Sequence, residues 1–211
     1  MKPDFAKYDF DDEMIAAVKR DRQPRVKVYK LDFTAVVLGR GSKADTEIDL
    51  DSCRVDEIPI YQRHGGGCAV VIDPGNVIVS IVLPVNGFAD NRRYFDRISQ
   101  LLIDKLDEIG ITGVYQDGVS DLVMNSLKIG GSCIRRTKDY LYYSTTILVN
   151  PEIALMDMYL SHPPREPDYR DGRSHDNFLG CLSEFDDSIT ANKLAFDLAE
   201  VINEEDLVKL I

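Results

Sequence analysis

The chain has 211 residues, of which 36 are Asp or Glu and 25 are Lys or Arg, so its formal net charge is −11. This length suits one large domain whose core needs neither a disulfide nor a metal to be stable. The acidic balance excludes a general nucleic-acid binder, which neutralises phosphates with Lys and Arg, and it disfavours binding to anionic membranes.

The first half of the chain alternates a helix with short strands. Residues 9–20 predict a helix, because Met14, Ile15 and Val18 fall on one face. Strands are predicted over residues 26–31, 35–38, 58–62, 68–72 and 77–83, and the last is β-branched and uncharged as in a central strand. The acidic segment 45–57 is interpreted as a loop.

The second half begins with the clearest helix, residues 90–109, which ends at Gly110. Strands follow over residues 113–115, 121–124, 128–135 and 140–149, and the last two are expected to pair as a hairpin. Then come a helix over 151–160, a proline-rich loop over 163–169 and one or two helices within 189–211. This order predicts an α+β fold with a mixed, mainly antiparallel sheet.

Cysteine usage and hydropathy bear on the compartment. The four cysteines are widely spaced and form no CxxC pair, as in a reduced cytoplasmic protein. The longest uncharged apolar stretch, residues 74–89, is interrupted by proline and glycine. We therefore expect no membrane span and no signal peptide.

The triplet Gly65-Gly66-Gly67 lies between two predicted strands, beside Arg63, His64 and Ala69. Consecutive glycines are costly in conformational entropy and make sense where the backbone approaches a ligand closely. Exposed N–H groups in such a turn form a concavity that binds anions. A glycine-rich hairpin without a ligand explains the same pattern equally well. The Asp73-Pro74-Gly75-Asn76 segment that follows is a strong turn signal.

Asp121 and Lys128 lie on two predicted strands joined by a turn at Asn125-Ser126. Lys128 lies near the start of its strand, two residues before Gly130-Gly131, so a compact cation lies beside backbone that no side chain covers. That arrangement suits a phosphate or a developing carboxyl oxyanion. A solvated hairpin lysine is the commoner alternative.

An ordered set of motifs across residues 38–182 resembles the lipoate–protein ligase A family. The matching segments are Gly39-Arg40, Gly65-Gly66-Gly67 with Ala69, Asp73-Pro74-Gly75-Asn76, Gly118 to Leu122, Lys128-Ile129-Gly130-Gly131-Ser132, Arg135 to Asp139, Ile147-Leu148, His162-Pro163, Pro167-Asp168-Tyr169, Arg173-Ser174-His175 and Phe178. The resemblance implies a mixed sheet flanked by helices.

The resemblance also implies an activity. Ligases of this family use ATP and Mg²⁺ to convert lipoate to lipoyl-adenylate and then pass the lipoyl group to a lysine of an acceptor domain. It implies that Lys128 is the catalytic residue. The implied substrate and nucleotide contacts are Arg63, His64, Gly65, Gly66, Gly67, Ala69, Asp73, Gly75, Asn76, Asp121, Ile129, Gly130 and Ser132. Mg²⁺ is expected to bind together with the nucleotide, and Asp121 is the candidate for a further contact with the ion.

The implied acceptor is the lipoyl domain of a dehydrogenase E2 or a glycine-cleavage H-type protein. By the same resemblance we expect one catalytic domain over residues 1–211, with a core at about 25–185, a helical tail at 189–211 and no accessory C-terminal domain. A separate small accessory protein is therefore an expected partner.

The chain departs from the family pattern at Tyr61-Gln62-Arg63-His64, where an arginine pair is usual, and at Ser144, where a histidine is common. Two alternatives stay open: a lipoyl or octanoyl transferase with Cys181 as its nucleophile, and a non-catalytic binding protein. The basic run Arg135-Arg136-Thr137-Lys138 suits either a phosphate or an acidic acceptor. With Arg40, Lys43, Arg63 and Lys128 it predicts a locally positive cleft in an acidic body.

Overall fold

The computed structural model describes residues 5–87, 91–161 and 166–211. Within these ranges the strands form two sheets. The strands are β1 (Ala6–Lys7), β2 (Arg25–Tyr29), β3 (Ala35–Leu38), β4 (Ile60–Gln62), β5 (Val70–Ile72), β6 (Asn76–Pro84), β7 (Tyr115–Asp117), β8 (Asp121–Met124), β9 (Leu127–Arg136) and β10 (Tyr140–Leu148).

Helices cover the sheets and connect their strands. They are α1 (Asp12–Asp21), α2 (Ala44–Glu47), α3 (Leu50–Val55), α4 (Asn91–Glu108), α5 (Ala154–Tyr159), α6 (His175–Phe178), α7 (Leu182–Phe185), α8 (Ala191–Val201) and α9 (Glu204–Leu210), with a 3₁₀ turn at Asp168–Arg170. No helix in the described ranges is both long and apolar enough to cross a membrane.

The larger sheet has the order β2-β6-β10-β9-β8-β7, and all of its pairs are antiparallel. The smaller sheet has the order β1-β4-β3-β5, with β4 parallel to both neighbours and β5 antiparallel to β3. The predicted mixed, mainly antiparallel α+β fold is confirmed. So is the central position of β6, whose nine residues are all buried.

Strand β10 separates the main core from the space between the sheets, because alternate residues of a strand point to opposite faces. Tyr143 and Ile147 belong to the core that includes Leu102 of α4 and Leu198 of α8. On the opposite face, Leu148 packs in a separate cluster with residues of the smaller sheet. Helices α4 and α8 therefore cover one face of the larger sheet, whereas Ile15 and Val18 of α1 pack with Tyr142 on the other face. The remainder of that second face, toward the smaller sheet, is available for a site.

The predicted turn at Asn125-Ser126 joins β8 to β9. Both residues have positive φ angles, 49° and 67°. Two consecutive left-handed residues match the twist of an antiparallel pair and make a tight hairpin. This hairpin carries Asp121 and Lys128 at the edge of the space between the sheets.

The loop predicted over residues 45–57 is wrong, because the structure forms α2 and α3 there. The carboxylate of Asp49 accepts hydrogen bonds from the backbone N–H groups of Asp51 and Ser52, which caps the start of α3. The strand predicted at 113–115 instead begins at Tyr115. The helices α6 and α7 and the 3₁₀ turn are additional elements. Asp90 and the His162-Pro163 motif lie outside the described residues.

Candidate functional site

A cleft of about 480 Å³ is bounded by both sheets. Its walls include Val37 and Ile72 of the smaller sheet and Ile78 and Tyr142 of the larger one. This size is typical of sites for small organic ligands. The apolar walls suit a hydrocarbon chain, and polar groups gather where the β8–β9 hairpin closes the cleft.

The main polar feature of the cleft is the ion pair between Lys128 and Asp121. The Nζ atom of Lys128 lies 2.9 Å from Oδ1 of Asp121, and the hydroxyl of Tyr169 donates to Oδ2 at 2.8 Å. Burial, followed by the Asp121 charge, raises the pKa of Tyr169, so its phenol remains a neutral donor. A Cβ atom on Gly131 would lie 3.0 Å from both Cε and Nζ of Lys128. Glycine therefore makes room for the lysine to lie across its own strand.

The segment 168–178 covers this pair. The ring of Phe178 is fully buried, with Nζ of Lys128 6.0 Å from its centroid and the guanidinium carbons of Arg170 and Arg173 at 5.0 and 5.2 Å. Arg173 also donates to the carbonyl of Ser126 in the hairpin turn. These contacts fix the covering segment to the hairpin and limit the access of water to Lys128.

The glycine loop, residues 63–68, is shaped by Arg63. Its guanidinium donates to the carbonyls of Val37 at 2.9 Å, Gly66 at 2.7 Å and Cys68 at 2.8 Å. Arg63 lines the cleft as well. Because these bonds engage the guanidinium, we assign Arg63 a positioning role for the loop.

The structure requires glycine at two positions of the triplet. A Cβ atom on Gly65 would lie 2.3 Å from Sγ of Cys133 in β9, and Gly67 has a φ of 89°. A Cβ atom on Gly39, after β3, would lie 1.9 Å from the carbonyl oxygen of Gly67. Gly66 has open space around it. The loop thus passes closely between β3 and β9 and exposes its middle residue.

Glu47 is a cleft residue that sequence reasoning missed. Its buried carboxylate accepts hydrogen bonds from the backbone of Lys43 at 3.0 Å, the backbone of Ala69 at 2.8 Å and the hydroxyl of Ser42 at 2.9 Å. It thereby ties α2 to the end of the glycine loop. The sequence around Glu47 shows no hydrophobic periodicity. Its place in the cleft depends on the hydrogen bond to Ala69, which is distant in the chain, so the sequence alone gives no signal for it.

The turn at residues 73–76 lies apart from the cleft. Asp73 accepts from the backbone of Gly75 at 2.8 Å and of Glu152 at 2.7 Å, and Asn76 accepts from the backbone of Asp73 at 2.7 Å. A Cβ atom on Gly75 would lie 2.3 Å from the carbonyl oxygen of Asn150. The carboxylate of Asp73 and the amide oxygen of Asn76 are thus hydrogen-bonded, whereas Nδ2 of Asn76 is buried without a partner in the described ranges. The turn joins β5 and β6 to the segment after β10.

The structure thus divides the proposed contact residues into three groups. The cleft is lined by Arg63, Gly67, Ala69, Asp121, Lys128, Gly130 and Ser132. A second cavity, of about 640 Å³, is lined by Arg40, Gly41, His64, Gly66, Asn91, Ile134, Arg135 and Arg136. Neither cavity is lined by Gly65, Asp73, Gly75, Asn76 or Ile129, and the side chain of Ile129 is buried in the main core.

His64 lies between a cation and a carboxylate. Its Nδ1 accepts from Nη1 of Arg135 at 2.8 Å, so its Nε2 carries the proton that faces Oδ1 of Asp12 at 2.5 Å. His175 similarly contacts Asp157. His162 lies outside the described residues. Within the described ranges, no group of three His, Cys, Asp or Glu residues could hold a metal ion.

The environment of Cys181 does not support a nucleophile. Its side chain is buried and does not line the cleft. Burial, with smaller contributions from the charges of Glu184 and Asp73, raises its pKa to about 11. A reactive thiol needs a lowered pKa and access to substrate. The transferase alternative through Cys181 therefore has no support in this geometry.

Comparison with known proteins identifies the family. Residues 4–202 match the model of the lipoyl protein ligase A/B catalytic domain, so the chain belongs to that family. Lipoate–protein ligase A of Psychrobacter cryohalolentis is 25% identical over 169 residues, which cover 80% of this chain and 48% of the relative. A lipoate–protein ligase of Streptococcus pyogenes is 27% identical over 150 residues, covering 71% and 43%.

Solved structures share the fold. A bipartite lipoate–protein ligase of Thermoplasma acidophilum, described with its E2 lipoyl domain, is 20% identical with a TM-score of 0.75, covering 97% of this chain and 89% of that one. A lipoate–protein ligase A bound with ATP is 21% identical with a TM-score of 0.72, covering 92% and 85%. The chain spans about half the length of the curated relatives it matches.

Proposed function

We propose that this chain catalyses the ATP-dependent activation of lipoate, or of a related acyl acid, and the transfer of the acyl group to a lysine of an acceptor lipoyl domain. The observation that carries the proposal is the position of Lys128. Its ammonium lies beside open backbone at a cleft of suitable size, in a chain of the lipoyl ligase family.

In the first step, a carboxylate oxygen of the acyl acid attacks the α-phosphorus of ATP, and pyrophosphate leaves. Both reactants are anions, so the approach is opposed by charge repulsion. The Lys128 ammonium reduces that repulsion and stabilises the charge that develops on the phosphate. Asp121 holds the ammonium in place at 2.9 Å, and its own position is fixed by Tyr169. Catalysis then rests on positioning and electrostatics.

In the second step, the uncharged amine of the acceptor lysine attacks the carbonyl carbon of the acyl-adenylate. An amide bond forms, AMP leaves, and the amine loses its proton to solvent. No protein nucleophile is required, which fits the buried, raised-pKa thiol of Cys181. The apolar walls of the cleft, including Val37, Ile72 and Ile78, would hold the acyl chain.

Mg²⁺ would neutralise part of the charge on the nucleotide when bound. Since the described residues offer no three-ligand cluster, the phosphates themselves would supply most of its ligands. Asp121 is the carboxylate nearest to Lys128, and each of its oxygens already has a protein partner. We therefore propose that Asp121 makes at most one contact with the Mg²⁺ ion.

We also propose that residues 1–211 act as one catalytic domain and that an accessory chain assists activation in trans. The name of the bipartite archaeal relative supports this second idea. The proposed acceptor is the lipoyl domain of a dehydrogenase E2 or an H-type protein. A transfer assay that starts from preformed lipoyl-adenylate separates the second step from any requirement for a partner in the first.

The test measures both steps by mass spectrometry. Wild-type protein with lipoate, ATP and Mg²⁺ is expected to form lipoyl-adenylate, and with preformed adenylate it is expected to acylate an E2 lipoyl domain. Lys128→Ala is expected to lower both rates by roughly 100-fold or more, since it removes the charge that stabilises each transition state. Lys193→Ala, in an exposed lysine of α8, is the matched control and keeps both rates.

Two outcomes contradict the proposal. Lipoyl-adenylate that binds without either reaction would indicate the non-catalytic binding protein. Equal rates in wild type and Lys128→Ala would remove the assigned role of the lysine.

A further inference from the structure

A buried carboxylate lies behind one wall of the cleft. Asp11, just before α1, is only 1% exposed. Its Oδ2 atom accepts hydrogen bonds from the hydroxyls of Ser80 at 2.8 Å, Tyr142 at 2.8 Å and Tyr29 at 3.2 Å, which lie on three neighbouring strands of the larger sheet. Its Oδ1 atom is buried and has no hydrogen-bond partner in the described ranges. Because burial removes the hydration of a carboxylate, Asp11 depends on these hydroxyl protons.

Two further residues with hydroxyls, Ser144 and Tyr8, join this group and line the cleft. The Oγ atom of Ser144 lies 3.1 Å from Oγ of Ser80. The hydroxyl of Tyr8 lies 3.2 Å from that of Tyr29. A hydroxyl has one proton, and both Ser80 and Tyr29 direct theirs to Asp11. The proton of each outer pair therefore comes from the residue that lines the cleft, so Ser144 donates to Ser80. By the same argument, Tyr8 donates to Tyr29.

The direction of these protons decides what the wall can bind. Burial raises the pKa of Tyr8, Tyr29 and Tyr142, so each phenol keeps its proton. All the hydroxyl protons then point inward to the buried carboxylate. The guanidinium of Arg63, which also lines the cleft, is bonded to three backbone carbonyls. The hydroxyls of Tyr8 and Ser144 therefore present lone pairs to the cleft and accept hydrogen bonds without donating them.

Strand register relates this wall to the catalytic lysine. Thr146 of β10 lies opposite Gly131, the glycine that makes room for Lys128. Ser144 is the next residue of β10 on the same face and lies about 7 Å further along the strand. The apolar residues proposed to hold the acyl chain pack with Tyr8 in one cluster. An acid whose carboxylate lies at Lys128 therefore directs its far end toward Tyr8 and Ser144.

We propose that the acyl acid carries a hydrogen-bond donor at the end remote from its carboxylate, and that Tyr8 and Ser144 accept it. The inference rests on the proposed function and names the class of its substrate. A hydroxyl, the thiols of dihydrolipoate and an amide-type N–H share this chemistry. The closed dithiolane ring of lipoate and the methyl end of octanoate have no donor and leave the two acceptors unpaired, which weakens binding.

The test compares two acids of matched size by calorimetry, ω-hydroxyoctanoate and ω-fluorooctanoate, because fluorine is close in size to a hydroxyl but cannot donate. Wild type is expected to bind the hydroxy acid at least about fivefold more tightly, the effect of one hydrogen bond. The double variant Tyr8→Phe/Ser144→Ala is expected to bind both acids equally. It removes only the outermost hydroxyls and keeps every hydrogen bond to Asp11, so the fold does not depend on them. Ser188→Ala, in an exposed serine before α8, is the matched control and keeps the preference.

The ratio of the two affinities decides the outcome, because a purely structural effect of the substitutions would weaken both acids alike. Equal affinities in wild type, no binding of either acid, or a preference that survives in the double variant overturns the inference.

Two natural acids identify the kind of donor. Dihydrolipoate that binds more tightly than lipoate, with the difference lost in the double variant, supports a thiol. Biotin that binds to wild type and not to the double variant supports an amide-type N–H. A preference confined to ω-hydroxyoctanoate supports a hydroxyl.

The same measurements keep this inference distinct from the ligase proposal. A donor preference that depends on Tyr8 and Ser144, in a protein that forms no adenylate from any of these acids, would contradict only the ligase proposal. Adenylate formation with equal affinity for the hydroxy and fluoro acids would contradict only the donor preference.

Discussion

The glycine loop and the turn at residues 73–76 flank the same strand, β5, and both place glycine beside polar residues. The loop lines both cavities, and its middle glycine has open space around it. Asp73, Gly75 and Asn76 of the turn are buried and line neither cavity, and both carboxylate oxygens of Asp73 accept backbone hydrogen bonds. In the turn, glycine allows close packing within the protein; in the loop, Gly65 does the same against Cys133, while Gly66 leaves the backbone open beside a cavity.

The largest expected effect is on the stability of the turn. Gly75→Ala would place a Cβ atom 2.3 Å from the carbonyl oxygen of Asn150, which is backbone and cannot move aside cheaply. We expect the free energy of unfolding to fall by roughly 3 kcal/mol. Gly66→Ala, with nothing nearby, is expected to change it by less than about 0.5 kcal/mol. Urea denaturation measures both, and equal stabilities would contradict the contrast between the motifs.

The next effect separates stability from substrate binding. Asp73→Ala leaves the buried backbone N–H of Gly75 and the half-buried N–H of Glu152 without an acceptor and is expected to cost about 2 kcal/mol of stability with an unchanged KM. Arg63→Gln releases the glycine loop, whose carbonyls water can reach. It is expected to raise the KM for lipoate about tenfold with little loss of stability. The reverse pattern of stability and KM would show that the two motifs have been assigned the wrong roles.

A smaller effect is expected from Tyr169→Phe. The variant removes the hydroxyl that donates to Asp121 and keeps the ring contact with Phe178, whose centroid lies 5.2 Å away. The loss of one such bond, about 1 kcal/mol, should lower the rate of adenylate formation roughly fivefold. An unchanged single-turnover rate would show that Lys128 alone fixes the position of Asp121.

The smallest effect concerns Cys181, and we expect Cys181→Ser to keep full activity. Because burial raises the pKa of this thiol to about 11, the reactive thiolate is scarce below that pH and increases as the pH approaches it. Alkylation followed by mass spectrometry should therefore be slow in native protein at pH 8 and fast in urea. Rapid alkylation of native protein, or loss of activity in the serine variant, would restore the transferase alternative.

Sequence reasoning succeeded where the signals are local. The β8–β9 hairpin followed from its apolar strands and its Asn125-Ser126 turn, and α4 followed from its periodic apolar residues. The short helices α2 and α3 were missed because neither is long enough to show a periodic pattern: α2 has four residues and no side-chain cap, and α3 depends on the cap at Asp49 and the packing of Cys53.

The site was harder to predict, because the neighbours of each residue are distant in the chain. Gly65 meets Cys133, Gly75 meets Asn150, and Glu47 binds the backbone of Ala69. Motif order identified the family correctly, yet it could not separate residues that line a cavity from those that pack behind it. That distinction required the register of both sheets.

The most direct test of the central claim is the affinity of a non-hydrolysable lipoyl-adenylate analogue, measured by calorimetry for wild type, Lys128→Ala and Lys193→Ala. The account predicts that wild type and Lys193→Ala bind the analogue equally and that Lys128→Ala binds it at least about tenfold more weakly, since a charge-assisted contact is lost. Equal affinity in all three proteins would contradict the placement of the reacting groups at Lys128.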